Sequence, residues 1–202
     1  MISNKAFLLL NGSEPSVLPD LSIYDIICVT DGAYDFLHSK NIRPDIVTGD
    51  FDSIKARPNE VEYIETPDQN FTDFDKALAI LKEKGYGQID VYGSHGKEQD
   101  HFLGNISTAL RWKNNLNITF FDDYGRYFFI ENALDLHNVK HKTISLIPFP
   151  LATGIVSKGL QYSINNETFA FGKRIGTRNR AIKNNVHISF NEGVLLIYIS
   201  HQ

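Results

Sequence analysis

The chain has 202 residues, a length that fits one large domain or two small ones and that can bury about 70% of its unfolded surface without disulfides or a structural metal. Its net charge of -4 and its pI of about 6.0 argue against nucleic acid as the main partner. No run approaches the roughly 18 apolar residues of a membrane span, and no basic region precedes the three consecutive leucines near the N-terminus. We therefore expect a protein with neither a signal peptide nor a membrane segment.

The single cysteine indicates the cellular environment of the chain. Cys28 lies inside the apolar run "IICVT" and has no second cysteine with which to form an internal disulfide. We interpret it as a core residue, because no His or Asn stands near it at a spacing typical of a nucleophilic cysteine. This usage predicts a reducing, cytoplasmic location.

From residue 6 to about residue 123, short apolar runs alternate with helical patterns. The runs are rich in Val, Ile, Leu and Phe with little alternation, which is typical of strands covered on both faces. They read "AFLLLNG", "IICVTDG", "IVTGD", "VEYIETP", "IDVYGS" and "NITFFDD". We predict a fold of the α/β class that begins with an open, mostly parallel α/β sheet domain over residues 1–123.

Three helices are predicted between these strands. The first is short and runs from Asp31 to Lys40. The second has apolar residues at i, i+3, i+4 and i+7 from Phe74 to Leu81; Thr72 or Asn70 could cap it, and Gly85 ends it. The third is marked by apolar residues between positions 102 and 110.

After about residue 124 only short β runs remain, and they read "RYFFIEN", "TISLIPF", "GIVSKGLQYSI", "ETFAFG", "VHISF" and "VLLIYIS". They predict a small antiparallel β-sandwich domain over residues 124–202, with the boundary somewhere between positions 121 and 137. Val186, Ile188 and Phe190 alternate, and the following "NEG" predicts a hairpin turn into the last strand.

Polar residues and glycines follow most strands of the first half. In open α/β sheets ligands bind outside the carboxyl ends of the strands, so these residues should share one edge. They are Asn11-Gly12, Asp31-Gly32, Gly49-Asp50-Phe51-Asp52, Asp68-Gln69-Asn70, Gly93-Ser94-His95-Gly96 and Asp122-Asp123. Each alone is better explained as a turn. Together they favour a metal–phosphate site, since Asp50 and Asp52 would share a face if the strand extends through them, and Mg²⁺ prefers oxygen ligands. No P-loop motif is present.

Two further stretches contribute to this edge. In "TPDQNFTDFDKAL", Asp73 falls in the first turn of a helix, where a helix-dipole partner is the simpler explanation. In "YGSHGKEQDHFLGN", backbone N–H groups of the glycine loop could cradle phosphate, and Lys97 could add positive charge. Asp100 and His101 then begin the next helix, where Asp100 alone could be a cap and His101 alone is more often an ordinary helix residue.

The sequence resembles the thiamine pyrophosphokinase family. The motifs "DGAYDFL", "PDIVTGDFDSI", "TPDQNFTDFDKAL" and "GSHGKEQDHFLGNI" occur in the family's order and spacing, and "SLIPF", "GLQYSI", "IGTRN" and "GVLLIYIS" follow it more loosely. The resemblance implies an enzyme that uses Mg²⁺ to transfer diphosphate from ATP to the hydroxyl of thiamine, releasing AMP. It also implies a homodimer, with ATP held by the first domain and thiamine in a cleft completed by the second domain of the partner.

The resemblance further implies roles for individual residues. The nucleotide and metal positions of the family correspond to Asp31, Asp50, Asp52, Gln69, Thr72, Asp73 and Asp100, and its thiamine motif corresponds to Asn179. We assign the metal to Asp50, Asp52 and Asp73, and ATP to Asp31, Gln69, Thr72 and Lys97. Asp73 or Asp100 is expected to deprotonate or orient the thiamine hydroxyl.

Two departures from the family pattern leave alternatives open. Glu98 stands where the family usually has Arg, and Arg178 stands where it usually has Ser. The chain could therefore be a non-catalytic nucleotide- or thiamine-binding relative, or a diphosphotransferase for another small alcohol. The basic run "GKRIGTRNRAIK" could be a solvated loop, a diphosphate contact or, least in keeping with the composition, a nucleic-acid patch.

Overall fold

The computed structural model describes residues 4–51 and 60–202. The chain divides into two compact units, residues 1–123 and residues 124–202. Asp52, one of the three predicted metal ligands, lies outside the described residues.

The described residues of the first unit form a six-stranded sheet. Its strands are β1 (Asn4–Leu9), β2 (Ile26–Thr30), β3 (Ile46–Gly49), β4 (Glu62–Glu65), β5 (Tyr86–Tyr92) and β6 (Asn117–Phe121). Their spatial order is β4-β3-β2-β1-β5-β6, and every pairing is parallel, as the continuous apolar runs predict. The sheet therefore grows to one side of β1 through β2, β3 and β4, and to the other side through β5 and β6.

The helices of this unit are α1 (Tyr34–Ser39), α2 (Asp73–Glu83) and α3 (Gln99–Trp112). The Thr72 hydroxyl oxygen caps α2 by accepting a hydrogen bond from Asp75 N at 3.2 Å, as predicted. The predicted helix over residues 31–40 is shorter than expected. Asp31–Ala33 forms a 3₁₀ turn instead, because the Asp31 carboxylate accepts the N–H of Gly32. In the described part of the chain no helix is long and apolar enough to cross a membrane.

Helices cover both faces of the sheet. Phe7 of β1 packs in one cluster with Tyr34 of α1 and Phe121 of β6. Neighbouring residues of a strand point to opposite faces, so Phe120 faces the other side, where its ring lies 5.7 Å from that of Phe74 in α2. This burial on both faces explains why the strands read as unbroken apolar runs.

Cys28 is fully buried in β2. Burial raises the pKa of its thiol to about 12, so the side chain stays protonated at neutral pH. The interpretation of Cys28 as a core residue is confirmed.

The second unit is built from antiparallel strands. They are β7 (Gly125–Ile130), β8 (Ala133–Leu136), β9 (Thr143–Lys158), β10 (Glu167–Ala170), β11 (Gly176–Arg180), β12 (Val186–Ser189) and β13 (Glu192–Ser200). Every pairing among them is antiparallel, and the 16-residue β9 pairs with β10, β11, β12 and β13. The arrangement of these strands as a sandwich stays a prediction.

Some expectations for this unit were wrong. The runs "TISLIPF" and "GIVSK" belong to one strand, β9, and the sequence pattern did not indicate β8 or β11. Within residues 124–202, all of which are described, β12 and β13 pair with β9 and not with each other. The predicted hairpin fails because Asn191 N donates to Thr153 O at 2.9 Å, beside Gly154 at φ 66°, so the "NEG" segment follows β9.

Candidate active site

The carboxyl ends of the parallel strands form one edge of the first unit. Asn11 follows β1, Asp31 follows β2, Asp50 follows β3 and Lys97 lies in the loop after β5. This edge, which we call the strand-end edge, holds most of the polar residues that the sequence singled out. Each of these residues lies at the strand-end edge because a buried strand ends there and the chain continues as a loop or helix.

Asp31 links two neighbouring strand ends. Its Oδ1 accepts from Gly32 N at 2.7 Å, and its Oδ2 accepts from Phe51 N at 2.9 Å. The carboxylate also fills the space beside Gly49, where an added Cβ would lie 2.3 Å from the Asp31 Cγ atom. Asp31 therefore fixes the backbone on both sides of Asp50.

The strand does not continue through the D-x-D motif. β3 ends at Gly49, and Phe51 has a φ of 63°, in the left-handed region that non-glycine residues rarely adopt. The prediction that Asp50 and Asp52 share a face required β3 to extend through both residues. This premise is wrong, because β3 ends at Gly49. The bond from Phe51 N to Asp31 holds this left-handed conformation at Phe51.

Three carboxylates interact at this edge. Burial raises the pKa of Asp31, and the negative charges of Asp73 and Asp50 raise it further, against the lowering effect of the N–H groups of Phe51 and Gly32. Such repulsion is what a bound cation relieves, and carboxylate oxygens are the donors that Mg²⁺ prefers. Among the described residues, no three His, Cys, Asp or Glu side chains are grouped closely enough to hold a metal ion by themselves.

Asp73 is held by Lys76, a residue for which no role was predicted from the sequence. Lys76 Nζ lies 2.8 Å from Asp73 Oδ1 and also donates to the carbonyl oxygens of Thr66 at 2.8 Å and Asp68 at 3.3 Å. The Lys76 side chain is only 11% exposed. The available signal was the i, i+3 spacing of Asp73 and Lys76 at the start of a helix. Lys76 therefore anchors Asp73 to the loop between β4 and α2.

Thr72 and Gln69 lie in that same loop. The Thr72 Oγ1 atom accepts from Asp75 N, which leaves its O–H proton available as a donor. Gln69 is exposed, in a turn where Asp68 Oδ1 accepts from Asn70 N at 2.9 Å. Both residues thus lie beside Asp73, at the N-terminus of α2.

The loop between β5 and α3 is tied to the loop after β1. Gly12 N donates to Gly93 O at 2.7 Å, and Ser13 N donates to His95 O at 2.6 Å. These bonds continue the pairing of β1 and β5 beyond the ends of the strands. The two loops therefore have a defined relative position.

Lys97 and Glu98 are the last residues of this loop before α3. Lys97 Nζ donates to Asn11 Oδ1 at 2.8 Å. Glu98 is the residue before α3 and its Oε2 lies 3.6 Å from His101 Nε2, while Asp100 Oδ1 accepts from His101 N at 2.9 Å. The sequence pattern predicts Asn11 at a strand end and indicates no role for it. Its contact with Lys97 depends on the pairing of β1 with β5, which no local pattern shows.

Asn179 lies in β11 of the second unit and is 7% exposed. Its Oδ1 accepts from Tyr162 N at 3.0 Å and Arg180 N at 2.9 Å, and its Nδ2 donates to Tyr162 O at 2.7 Å. It lines a cavity of about 170 Å³ together with Phe169 and Arg174. The side chain fixes the backbone at Tyr162, and its contact with a ligand stays a prediction.

Arg178, the second departure, lies at an irregularity in β11. The register of β11 against β9 shifts between Gly176 and Asn179, and Arg178 has a φ of 56°. Its N–H donates to the Ser145 hydroxyl at 3.0 Å. Bulges of this kind change the direction in which a side chain points.

Comparisons with known proteins identify the family. Residues 21–120 match the family model "Thiamin pyrophosphokinase, catalytic domain", and residues 131–195 match "Thiamin pyrophosphokinase, vitamin B1 binding domain". The chain is 30% identical over 211 residues to the thiamine pyrophosphokinase of Bacillus subtilis (strain 168), covering 96% of this chain and 97% of the relative. It is 27% identical over 166 residues to thiamin pyrophosphokinase 1 of Caenorhabditis elegans, covering 75% of this chain and 68% of the relative.

Solved structures agree with these relatives. The crystal structure of the Bacillus subtilis thiamine pyrophosphokinase matches with a TM-score of 0.83 and 27% identity, over 96% of this chain and 98% of that chain. The yeast thiamin pyrophosphokinase structure shares the fold, with a TM-score of 0.83 at 15% identity over 99% of this chain and 87% of that chain. The chain belongs to the thiamine pyrophosphokinase family.

Proposed function

We propose that the chain carries out the reaction of its family, the transfer of diphosphate from ATP to the hydroxyl of thiamine, giving thiamine diphosphate and AMP. The observation that carries this proposal is the placement of Asp31 and Asp50 at the ends of two neighbouring strands of the strand-end edge, where the Asp31 carboxylate accepts the N–H of Phe51. This edge belongs to the half of the chain that matches the catalytic-domain model. The near full-length likeness to a bacterial thiamine pyrophosphokinase supports the same reaction.

We assign a Mg²⁺ site to Asp50, Asp52 and Asp73. The donor chemistry fits, because all three are carboxylates and the mutual repulsion at Asp31 falls when a cation binds. Bound Mg²⁺ supplies Lewis-acid stabilisation of phosphate charge and a template for the reacting groups. Lys76 keeps Asp73 at the edge, and Asp31 keeps the Asp50 segment there, so the chain itself positions these ligands.

The remaining residues of the strand-end edge are assigned to ATP. Gln69 and the Thr72 O–H are donors beside α2, and Lys97 supplies positive charge, while Asp31 acts through the backbone that it fixes. Phosphoryl-group transfer depends mainly on positioning and charge stabilisation, which such a set of fixed groups supplies. Either Asp73 or Asp100 would accept or orient the proton of the thiamine hydroxyl.

Thiamine is assigned to the second unit, which we expect to fold as a β-sandwich. Asn179 holds the segment at Tyr162, next to the cavity that both residues line. Asn179 therefore shapes the wall of this cavity.

The test is to measure AMP formation from ATP and Mg²⁺ with and without thiamine. We expect equal amounts of AMP and thiamine diphosphate, formed only when thiamine is present. Binding of ATP and thiamine without turnover would identify a non-catalytic relative. Turnover only with another small alcohol would identify a different diphosphotransferase, and either result contradicts the proposal.

We also propose a homodimer in the cytoplasm. The second unit is small for an independent core and exposes Leu151, Tyr162 and Phe171, which suits a surface that a second copy covers. Sedimentation at micromolar concentration should give roughly twice the 22.9 kDa chain mass. A fully active monomer under the same conditions would contradict the shared cleft.

The cytoplasmic assignment depends on the single buried Cys28.

A further inference from the structure

The strand order locates a crevice on the strand-end edge. The chain adds β2, β3 and β4 on one side of β1 and β5 and β6 on the other, so the direction of winding reverses between β1 and β5. In open parallel sheets, ligands bind at the carboxyl ends of the two strands that flank such a reversal. Here those two strands are followed by the loops that carry Asn11 and Lys97.

A positive charge lies at this reversal point. The Lys97 ammonium donates to Asn11 Oδ1 at 2.8 Å, across 86 residues of sequence. Its partner is a neutral amide, and the ion pairs among the described residues include none that involves Lys97. The ammonium has three donors, so it can keep this bond and still donate to an anion.

Asn11 is held in place from both sides. Its neighbours in sequence are fixed to the β5 side, because Leu10 N donates to Tyr92 O at 2.9 Å and Gly12 N donates to Gly93 O. On the β2 side its amide lies against Gly32, where an added Cβ would meet Asn11 Nδ2 at 2.3 Å. Asn11 therefore has its position before any ligand binds.

The acidic neighbour of Lys97 is directed elsewhere. The Glu98 side chain is 79% exposed, and its Oε2 lies 3.6 Å from Nε2 of His101, one turn further along α3. A carboxylate that turned toward Lys97 would cancel the charge at the reversal point. The exposed position of Glu98 beside His101 leaves that charge available.

We propose that Lys97 binds the polyphosphate of the nucleoside triphosphate and that Asn11 is its positioning residue. This inference rests on the proposed function, because it deepens the ATP site. Asn11 presents an oxygen that orients the ammonium without neutralising it, whereas an Asp at the same position would form an ion pair with Lys97. The site therefore requires a neutral amide at position 11, because Asp has the same shape but carries a negative charge.

The test is direct binding of ATP, and separately of adenosine, to the full chain by calorimetry without thiamine. Lys97→Met and Asn11→Asp should each raise the dissociation constant for ATP at least about tenfold and leave that for adenosine unchanged. Lys97→Arg should stay within about threefold of wild type, because it keeps the charge. In the Lys97→Met background, Asn11→Ala should change ATP binding little, because the ammonium that Asn11 orients is gone.

A second lysine–asparagine pair supplies the control. Lys113 Nζ donates to Asn114 Oδ1 at the same 2.8 Å, exposed and at the far end of α3. Lys113→Met and Asn114→Asp should leave ATP binding unchanged. A purely structural role for Asn11 predicts that Asn11→Asp, which keeps the accepting oxygen, binds ATP normally.

Each outcome decides the inference. Wild-type ATP affinity in Lys97→Met overturns it, as does an equal loss of ATP and adenosine binding. If Asn11→Asp does not fold, the comparison of Lys97→Met with Lys97→Arg still tests the charge. If ATP binding changes as expected but wild type forms no AMP with thiamine, the inference stands and the proposed function fails.

Discussion

The two halves of the chain use their polar residues in different ways. In the α/β half, Asp50, Asp73 and Lys97 are exposed where parallel strands end. In the antiparallel half, Asn179 is buried, and the hydrogen bonds of its amide join backbone groups of Tyr162 and Arg180. Parallel strands all end at the same edge and so collect polar side chains at the surface, whereas antiparallel strands end alternately at both edges.

Because of this difference, substitutions in the two halves should affect activity and stability differently. Replacing an exposed residue of the strand-end edge should change binding or rate with little effect on folding. Replacing Asn179 removes partners from buried backbone groups, so it should lower the free energy of unfolding as well.

Asp50→Asn should lower kcat/KM for AMP formation by about 100-fold or more at limiting Mg²⁺, because it removes a charged ligand of the metal. Asp52→Asn, outside the described residues, should have a similar effect. The melting temperature of Asp50→Asn should stay close to that of wild type, since Asp50 is exposed. The control is Asp35→Asn, an exposed carboxylate in α1. Near-wild-type activity in Asp50→Asn would refute its assignment as a ligand.

Asn179→Ala should lower the free energy of unfolding by about 2 kcal/mol, because buried N–H and C=O groups lose their partners. Chemical denaturation of this variant measures the change, and the KM for thiamine should rise in parallel. The exposed Asn165→Ala serves as the control. Unchanged stability combined with lost thiamine binding would show that Asn179 acts as a ligand contact alone, which would end the contrast between the two halves.

Glu98→Arg should preserve or improve activity, because its side chain points to solvent and to His101. The KM for ATP is the informative quantity, with Glu98→Gln as the neutral control. A loss of tenfold or more, about 1.4 kcal/mol, would mean that the carboxylate itself is needed. Inactive wild type that Glu98→Arg restores would identify the chain as an inactivated relative.

Asp31 should titrate above its ordinary pKa of 3.8, since burial and the charges of Asp73 and Asp50 raise its pKa. Carbon-13 NMR of the carboxyl group measures this pKa, and Asp73→Asn should bring it down. The folded chain then binds the proton more tightly than the unfolded chain. The contribution of Asp31 to stability therefore falls as the pH rises from the pKa of Asp31 in the unfolded chain to its pKa in the folded chain. A pKa at or below 3.8 would contradict the burial and repulsion at this edge.

Local patterns determined much of this molecule. The apolar runs predicted each of the six parallel strands that the structure describes in the first half, and Thr72 with the spacing from Phe74 to Leu81 predicted α2 and its start. The polar residues after each run also predicted which side chains would gather at one edge. These features depend on burial, periodicity and capping within a few residues, so they are encoded where they occur.

Other features depend on which strands become neighbours. The pairing of β1 with β5 brings Asn11 to Lys97, and the bond from Phe51 N to Asp31 sets the left-handed turn that ends β3. Likewise β12 and β13 follow β9 where a hairpin was expected. The sequence by itself determined the elements and the kinds of residue at their ends. Only the tertiary structure decided these contacts, because residues 20 to 86 positions apart meet through the strand order and backbone bonds of the whole unit.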